Sequence, residues 1–174
     1  MSLVAPVEEV RPVDLLFDTE ECLDCVVAIG ACRLRLSILA RLSSRGHRAP
    51  VLVHPTAWVS PSAKLGQGTV VMAGAIVQSG AVLGQGVIVN TSASIDHDCA
   101  VADGVHVAPG ARLAGGVHVG EASMVGIGAV AREGIWLGEG SVVGAGAVVV
   151  KDVPDGVVVT GNPANFLRRL EEAR

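Results

Sequence analysis

From Val53 to Val149 the chain sets an aliphatic residue at every sixth position, running Val53, Val59, Leu65, Val71, Val77 and so on without an insertion. Only Ala131 among these seventeen positions is not a branched aliphatic. Three residues after each aliphatic comes Gly or another turn-tolerant residue, as at Gly68, Gly74, Gly80, Gly104 and Gly116. Four after it stands a small residue in most repeats, as at Ala75, Ala93 and Ala111. A period of six matches neither the 3.6 of a helix nor the alternation of a sheet. It predicts a short strand followed by a bend: the aliphatic points inward, the small residue fits the corner, and Gly supplies the dihedrals of the bend. Three such sides close a triangular coil of eighteen residues, so residue n lies beneath residue n+18, and stacked coils pair their backbones about 4.8 Å apart. The periodicity predicts a parallel β-solenoid of five to six coils, with its hand left open.

The same period sorts the polar residues. Two positions after each aliphatic stand Gln67, Ser79, Gln85, Asp103, Glu121 and Glu139, which marks an outward slot. His97 occupies that slot, flanked by Asp96 and Asp98. An exposed histidine is ordinarily a solvated one, but a neighbouring carboxylate orients the ring and favours its protonated form. One coil further on, the slot holds Gly115, where a missing side chain leaves a backbone N–H open beside the imidazole. A base beside a bare backbone donor is what acyl transfer requires. His106 is a second outward-facing histidine. His118 has no carboxylate in its repeat and is expected at the surface, Trp58 and Trp136 are expected on the outer wall or at subunit contacts, and Cys99 falls on an inward slot. Outward apolar residues such as Val70, Ile76, Val82, Ile88 and Val130 need cover, and a closed homotrimer is expected to supply it.

Composition agrees with thin, similar layers. Half of the 174 residues are apolar, yet there are two Phe, two Trp and no Tyr, against 22 Gly. A net charge of −4 gives no footprint for nucleic acid or an anionic membrane surface. No apolar run has the length of a spanning helix, and residues 1–15 lack the charged and apolar regions of a leader, so a cytoplasmic protein is expected. Cys22 and Cys25 form one C-x-x-C with no second pair at zinc-site spacing, and are expected as reduced thiols.

The runs VVAIGACRLRLSILARLSSRG, VHPTAWVSPSA, NTSASIDHDCAVADGVHVAPGARLAGGVHVG, VGAGAVVVKDVP and TGNPANFLRRL resemble the hexapeptide-repeat acyltransferases. Within them the similarity is to the sialic acid O-acetyltransferase family, which includes N-acetyltransferases of nucleotide-linked amino sugars. The resemblance implies a left-handed parallel β-helix and acetyl-CoA as co-substrate. It implies His97 as general base, Asp98 as the acidic residue that raises its basicity, and the Gly115 amide as donor to the thioester carbonyl. His106, Ile127 and Ala145 fall where the family contacts the cofactor, with Ala145 replacing what is often Gly. Gly30 matches a glycine that contacts the sugar nucleotide, and Asn90 is a candidate to orient that substrate. Gly161 to Ala164 resemble a terminal loop near the pantetheine arm. The expected domains are 1–50, a truncated remnant of a nucleotide-sugar-binding α/β domain without a Gly-rich phosphate loop; 51–155, the β-helix acyltransferase domain; and 156–174, a loop and C-terminal helix capping the solenoid.

No Ser or Cys is placed as a nucleophile, so direct transfer to a sugar or nucleotide-sugar acceptor in a ternary complex is expected. Two other readings stand beside this one. A non-catalytic or regulatory trimeric scaffold would keep the solenoid and lose its substrate domain. A γ-type carbonic anhydrase-like protein would need three histidines on one zinc, whereas His97, His106 and His118 are spaced nine and twelve apart, and no metal is expected.

Overall fold

In a computed structural model, which describes Thr19 and residues 21–170, the hexapeptide pattern becomes seventeen two-residue strands, β1 (Leu52–Val53) to β17 (Val148–Val149). The first residue of each pair points out and the second points in, so Val77, Val89, Ile95 and Val107 are completely buried. Strands eighteen residues apart pair in parallel, as in Leu52↔Val70 and His106↔Met124, and build three sheets around one core. This is the left-handed parallel β-helix class that the resemblance implied. The corner residues Ala75, Ala93, Ala111 and Ala129 are fully buried, because a larger side chain there would push the adjoining walls apart.

The bends explain the glycines. Eleven of them, from Gly68 to Gly146, hold a positive φ at the slot three after the aliphatic. In three repeats that slot holds Ser92, Asp98 or Ala122 instead, at φ 54°, 58° and 53°. A left-handed conformation costs a side-chain-bearing residue about 1 kcal/mol, with Asp among the more tolerant.

Ahead of the solenoid lies α1 (Cys32–Ser44). Arg35, Ile38, Leu39 and Leu42 form its buried stripe at helical spacing. Leu36 and Leu39 press onto Gly104 and Gly86, where a β-carbon would come within 2.5 Å of their methyl groups. Those glycines therefore serve both the bend and the close approach of the helix. A parallel bridge between Asp24 and Arg48 joins the segments flanking α1. Among the described residues no helix is long and apolar enough to cross a membrane.

The C-terminal helix expected within 156–174 is not formed by the described residues. Val157–Thr160 (β18) adds in parallel to β16 (Val142–Val143), and Asn165–Arg169 (β19) folds back on it antiparallel. The helical propensity of LRRL is worth only tenths of a kcal/mol per residue. The last coil offers a row of unpaired backbone groups, which the β-branched run VVVT is suited to fill. The edge-covering role survives on this one sheet, carried by a hairpin. Residues 171–174, and the leaderless reading of residues 1–15, lie outside the described residues.

Candidate active site

The outward slot and the left-handed slot of one repeat, His97 and Asp98, together make the candidate corner. The His97 N–H donates to Asp96 Oδ1 at 2.7 Å, and its Nδ1 lies 2.9 Å from Asp98 Oδ2. A carboxylate only accepts, so Nδ1 carries the ring proton and Nε2 keeps its lone pair. The Asp98 hydrogen bond first, and the charge of Asp96 next, hold the imidazole above its ordinary pKa. Both side chains are exposed, His97 by 60% and Asp98 by 73%, leaving Nε2 open to a substrate.

Neighbouring coils supply the room. Asp98 leans over Gly80, where an added β-carbon would lie 3.4 Å from its Cγ and closer still to Oδ1. The His97 ring leans the other way, over Gly115, where a β-carbon would stand 2.6 Å from both Cε1 and Nε2. The Gly115 carbonyl accepts from the Gly134 N–H at 3.0 Å, and among the described residues its own N–H makes no hydrogen bond. The imidazole thus packs over a residue whose backbone donor is unused among the described residues. Asp98→Gly is expected to leave stability unchanged or up to about 1 kcal/mol higher, since the left-handed strain is relieved, while turnover falls roughly tenfold or more. A lowered Tm in calorimetry would assign Asp98 a structural role instead.

The remaining candidates form two further groups. Ile127 and Ala145 are exposed and stack one coil apart at a different corner, the Gly146 N–H donating to the Ile127 carbonyl at 2.8 Å. Thr91, the neighbour of Asn90, lies in the same column two coils before Ile127, its carbonyl accepting from the Gly110 N–H. His106 gathers with Asn90 and Gly30: Asn90 Nδ2 lies 3.0 Å from His106 Nε2, and a β-carbon on Gly30 would meet the ring at 3.8 Å. Burial, and then the Arg35 charge, hold the His106 imidazole below its ordinary pKa.

His118 does not join His97 or His106. Its Nδ1 lies 3.1 Å from the Gly116 carbonyl, and its ring stacks on exposed Trp136 with centroids 4.2 Å apart. Among the described residues no group of three or more His, Cys, Asp or Glu side chains could hold a metal ion. Cys22, Cys25, Cys32 and Cys99 are free thiols, and Cys99 is buried as its slot implies. Sequence reasoning missed two features here. Asp98 stands where most repeats have Gly, a visible departure from the pattern. Arg35 stands on the apolar stripe of α1, where a charge is out of place.

No family model matches the chain, and no curated protein matches it. Solved structures do. The acetyltransferase domain of PglB from Neisseria gonorrhoeae FA1090, solved in complex with acetyl coenzyme A, is 50% identical over 89% of this chain and 76% of that one, with a TM-score of 0.86. The chain belongs to the hexapeptide-repeat sugar acetyltransferase family. PerB from Caulobacter crescentus, in complex with CoA and GDP-perosamine, is 39% identical over 89% of this chain and 74% of its own, with a TM-score of 0.85. WeeI from Acinetobacter baumannii AYE is 28% identical over 89% of this chain and 76% of its own, with a TM-score of 0.84. This sugar acetyltransferase therefore shares both its solenoid and the described part of its N-terminal segment with proteins of the family.

Proposed function

We propose that the chain transfers the acetyl group of acetyl-CoA directly to the amine of a nucleotide-linked amino sugar, with His97 as general base. The observation that carries this reading is the Asp98-paired imidazole of His97 lying over Gly115, whose N–H is unengaged among the described residues. The amine nitrogen attacks the thioester carbon and its proton passes to His97 Nε2. The developing oxyanion is met by the Gly115 amide. Collapse breaks the C–S bond, and His97 returns the proton to the departing thiolate. Asp98 keeps the ring in the tautomer that leaves Nε2 basic. The complexes of PglB with acetyl coenzyme A and of PerB with GDP-perosamine favour this co-substrate and an amine acceptor over a hydroxyl such as that of sialic acid.

Gly30, Asn90 and His106 are assigned to the acceptor side, where the 1–50 segment meets the solenoid, with His106 at the boundary with the cofactor. Ile127 and Ala145 are assigned to acetyl-CoA. Within one prism the column of Ile127 and Ala145 and the corner of His97 lie on different edges, which favours a homotrimer in which a second copy completes each site. The exposed Trp58, Ile76 and Val130 line one sheet and suit that contact. A cytoplasmic location goes with acetyl-CoA as co-substrate.

The test combines binding and turnover on protein whose mass is checked by sedimentation. Acetyl-CoA at a hundred times its Kd should stabilise the native state by about 2.7 kcal/mol and so raise Tm. UDP- and GDP-linked amino sugars should be acetylated faster than free sialic acid. Neither a Tm shift nor a calorimetric heat with acetyl-CoA would leave the non-catalytic scaffold as the better reading.

A further inference from the structure

Arg35 is 1% exposed, and no carboxylate among the described residues pairs with its charge. Its guanidinium is instead surrounded by carbonyl oxygens. Nε donates to Gly86 at 2.7 Å, Nη2 to Gly104 at 2.6 Å and more weakly to Val105 at 3.4 Å, and Nη1 to Ile29 at 2.6 Å and Gly30 at 3.1 Å. An apolar residue would suit this stripe position without the cost of burying a charge. The guanidinium does what no apolar residue can: it ties consecutive coils of the solenoid, at Gly86 and Gly104, to the segment that ends in Gly30.

Gly30 faces His106, and that ring is held from its other side. Asn90 Oδ1 accepts from the Thr91 N–H at 2.8 Å, so its Nδ2 is the group that donates to His106 Nε2. The ring proton therefore sits on Nδ1. That nitrogen is buried without a hydrogen-bond partner of good geometry, alongside the Gly30 backbone. Asn90 fixes the ring, and Arg35 fixes the opposite wall.

We propose that Arg35 is a positioning residue for the acceptor: by drawing the Gly30 carbonyl and two solenoid carbonyls onto one guanidinium, it holds Gly30 against His106 and so sets the placing of the two groups that the acceptor meets. This rests on the assignment of Gly30, Asn90 and His106 to the acceptor side. Arg35 itself touches no substrate and acts through Gly30.

The experiment compares Arg35→Lys with Leu36→Ala, which loosens the packing of α1 on Gly104 and leaves the guanidinium in place. Arg35→Lys keeps the charge but loses the fork that reaches both bodies. It is expected to raise KM for the acceptor found in the nucleotide-sugar panel about tenfold or more, with acetyl-CoA Kd and kcat within about twofold. In the free protein the His106 titration, followed by NMR, should move up as the loosened contact with Gly30 admits water. Leu36→Ala should lower Tm while leaving acceptor KM and the His106 titration near those of the parent. An unmoved His106 titration in Arg35→Lys, or an equal rise in KM in Leu36→Ala, overturns the proposal. If the parent turns over no acceptor, the proposed reaction has failed, and the titration in the free protein still decides the role of Arg35.

Discussion

His97→Ala should abolish most turnover while the protein keeps its fold. The ring points off the solenoid and is largely exposed, so its loss opens no cavity, whereas proton transfer by a placed base contributes about 10²- to 10⁴-fold in rate. The expected outcome is a fall of that size in kcat, with Tm and acetyl-CoA binding close to the parent's. The pH profile supplies the second half of the test. His97 acts in its neutral form, so the rate falls as pH drops through its pKa, and that limb is shifted upward from the ordinary histidine value because Asp98 and Asp96 favour the imidazolium. In Asp98→Ala the largest of these influences is gone, and the acid limb should move to lower pH. Near-parental turnover in His97→Ala would make the imidazole a surface residue and end the mechanism proposed above.

Gly115→Ala should be nearly as damaging, for a steric reason. The new methyl would arrive 2.6 Å from His97 Cε1 and Nε2, nearer than carbon and ring atoms approach without one of them moving. The imidazole is the freer party, being exposed and tethered only by its bond to Asp98, so it swings away from the Gly115 amide. Misplacement of a reacting group by about 1 Å can cost roughly 10² in rate. Single-turnover kinetics should show that loss in the chemical step, with acetyl-CoA affinity largely kept. Gly116→Ala, one residue on, would strain a positive φ of 69° and lower stability instead. A Gly115→Ala protein with normal chemistry would dissociate the glycine from the site.

The two corners differ in how far they could be read from the chain alone. His97, Asp98 and Gly115 were legible because the eighteen-residue coil converts sequence distance directly into spatial neighbourhood. The same arithmetic placed every solenoid strand, and it correctly sent Cys99 inward and His118 outward. Arithmetic of this kind ends where the repeat ends. Nothing in the hexapeptide period says that Gly30 meets His106, since that contact depends on how α1 docks on the column of bends at Gly68, Gly86 and Gly104. The stripe of α1 carried the needed hint in Arg35, but a hint of burial does not name the partner. At the C-terminus local propensity pointed to a helix and lost to the hydrogen-bonding demand of an open coil, a non-local effect. The left-handed slot of Asp98 was visible as a missing glycine, and its meaning needed the carboxylate to be seen leaning over Gly80.

Alternation along the two-residue strands separates what keeps the molecule standing from what it does. Residues such as Ile95 and Val107 hold the prism, while their neighbours Ser94 and His106 point away from the core. Substitutions at the outward positions leave the interior untouched, so new specificities are open to this architecture by single steps that put little at risk. The bends are the exception. There one residue answers both to the path of the backbone and to the surface, as Asp98 does with its φ of 58° and its carboxylate on His97.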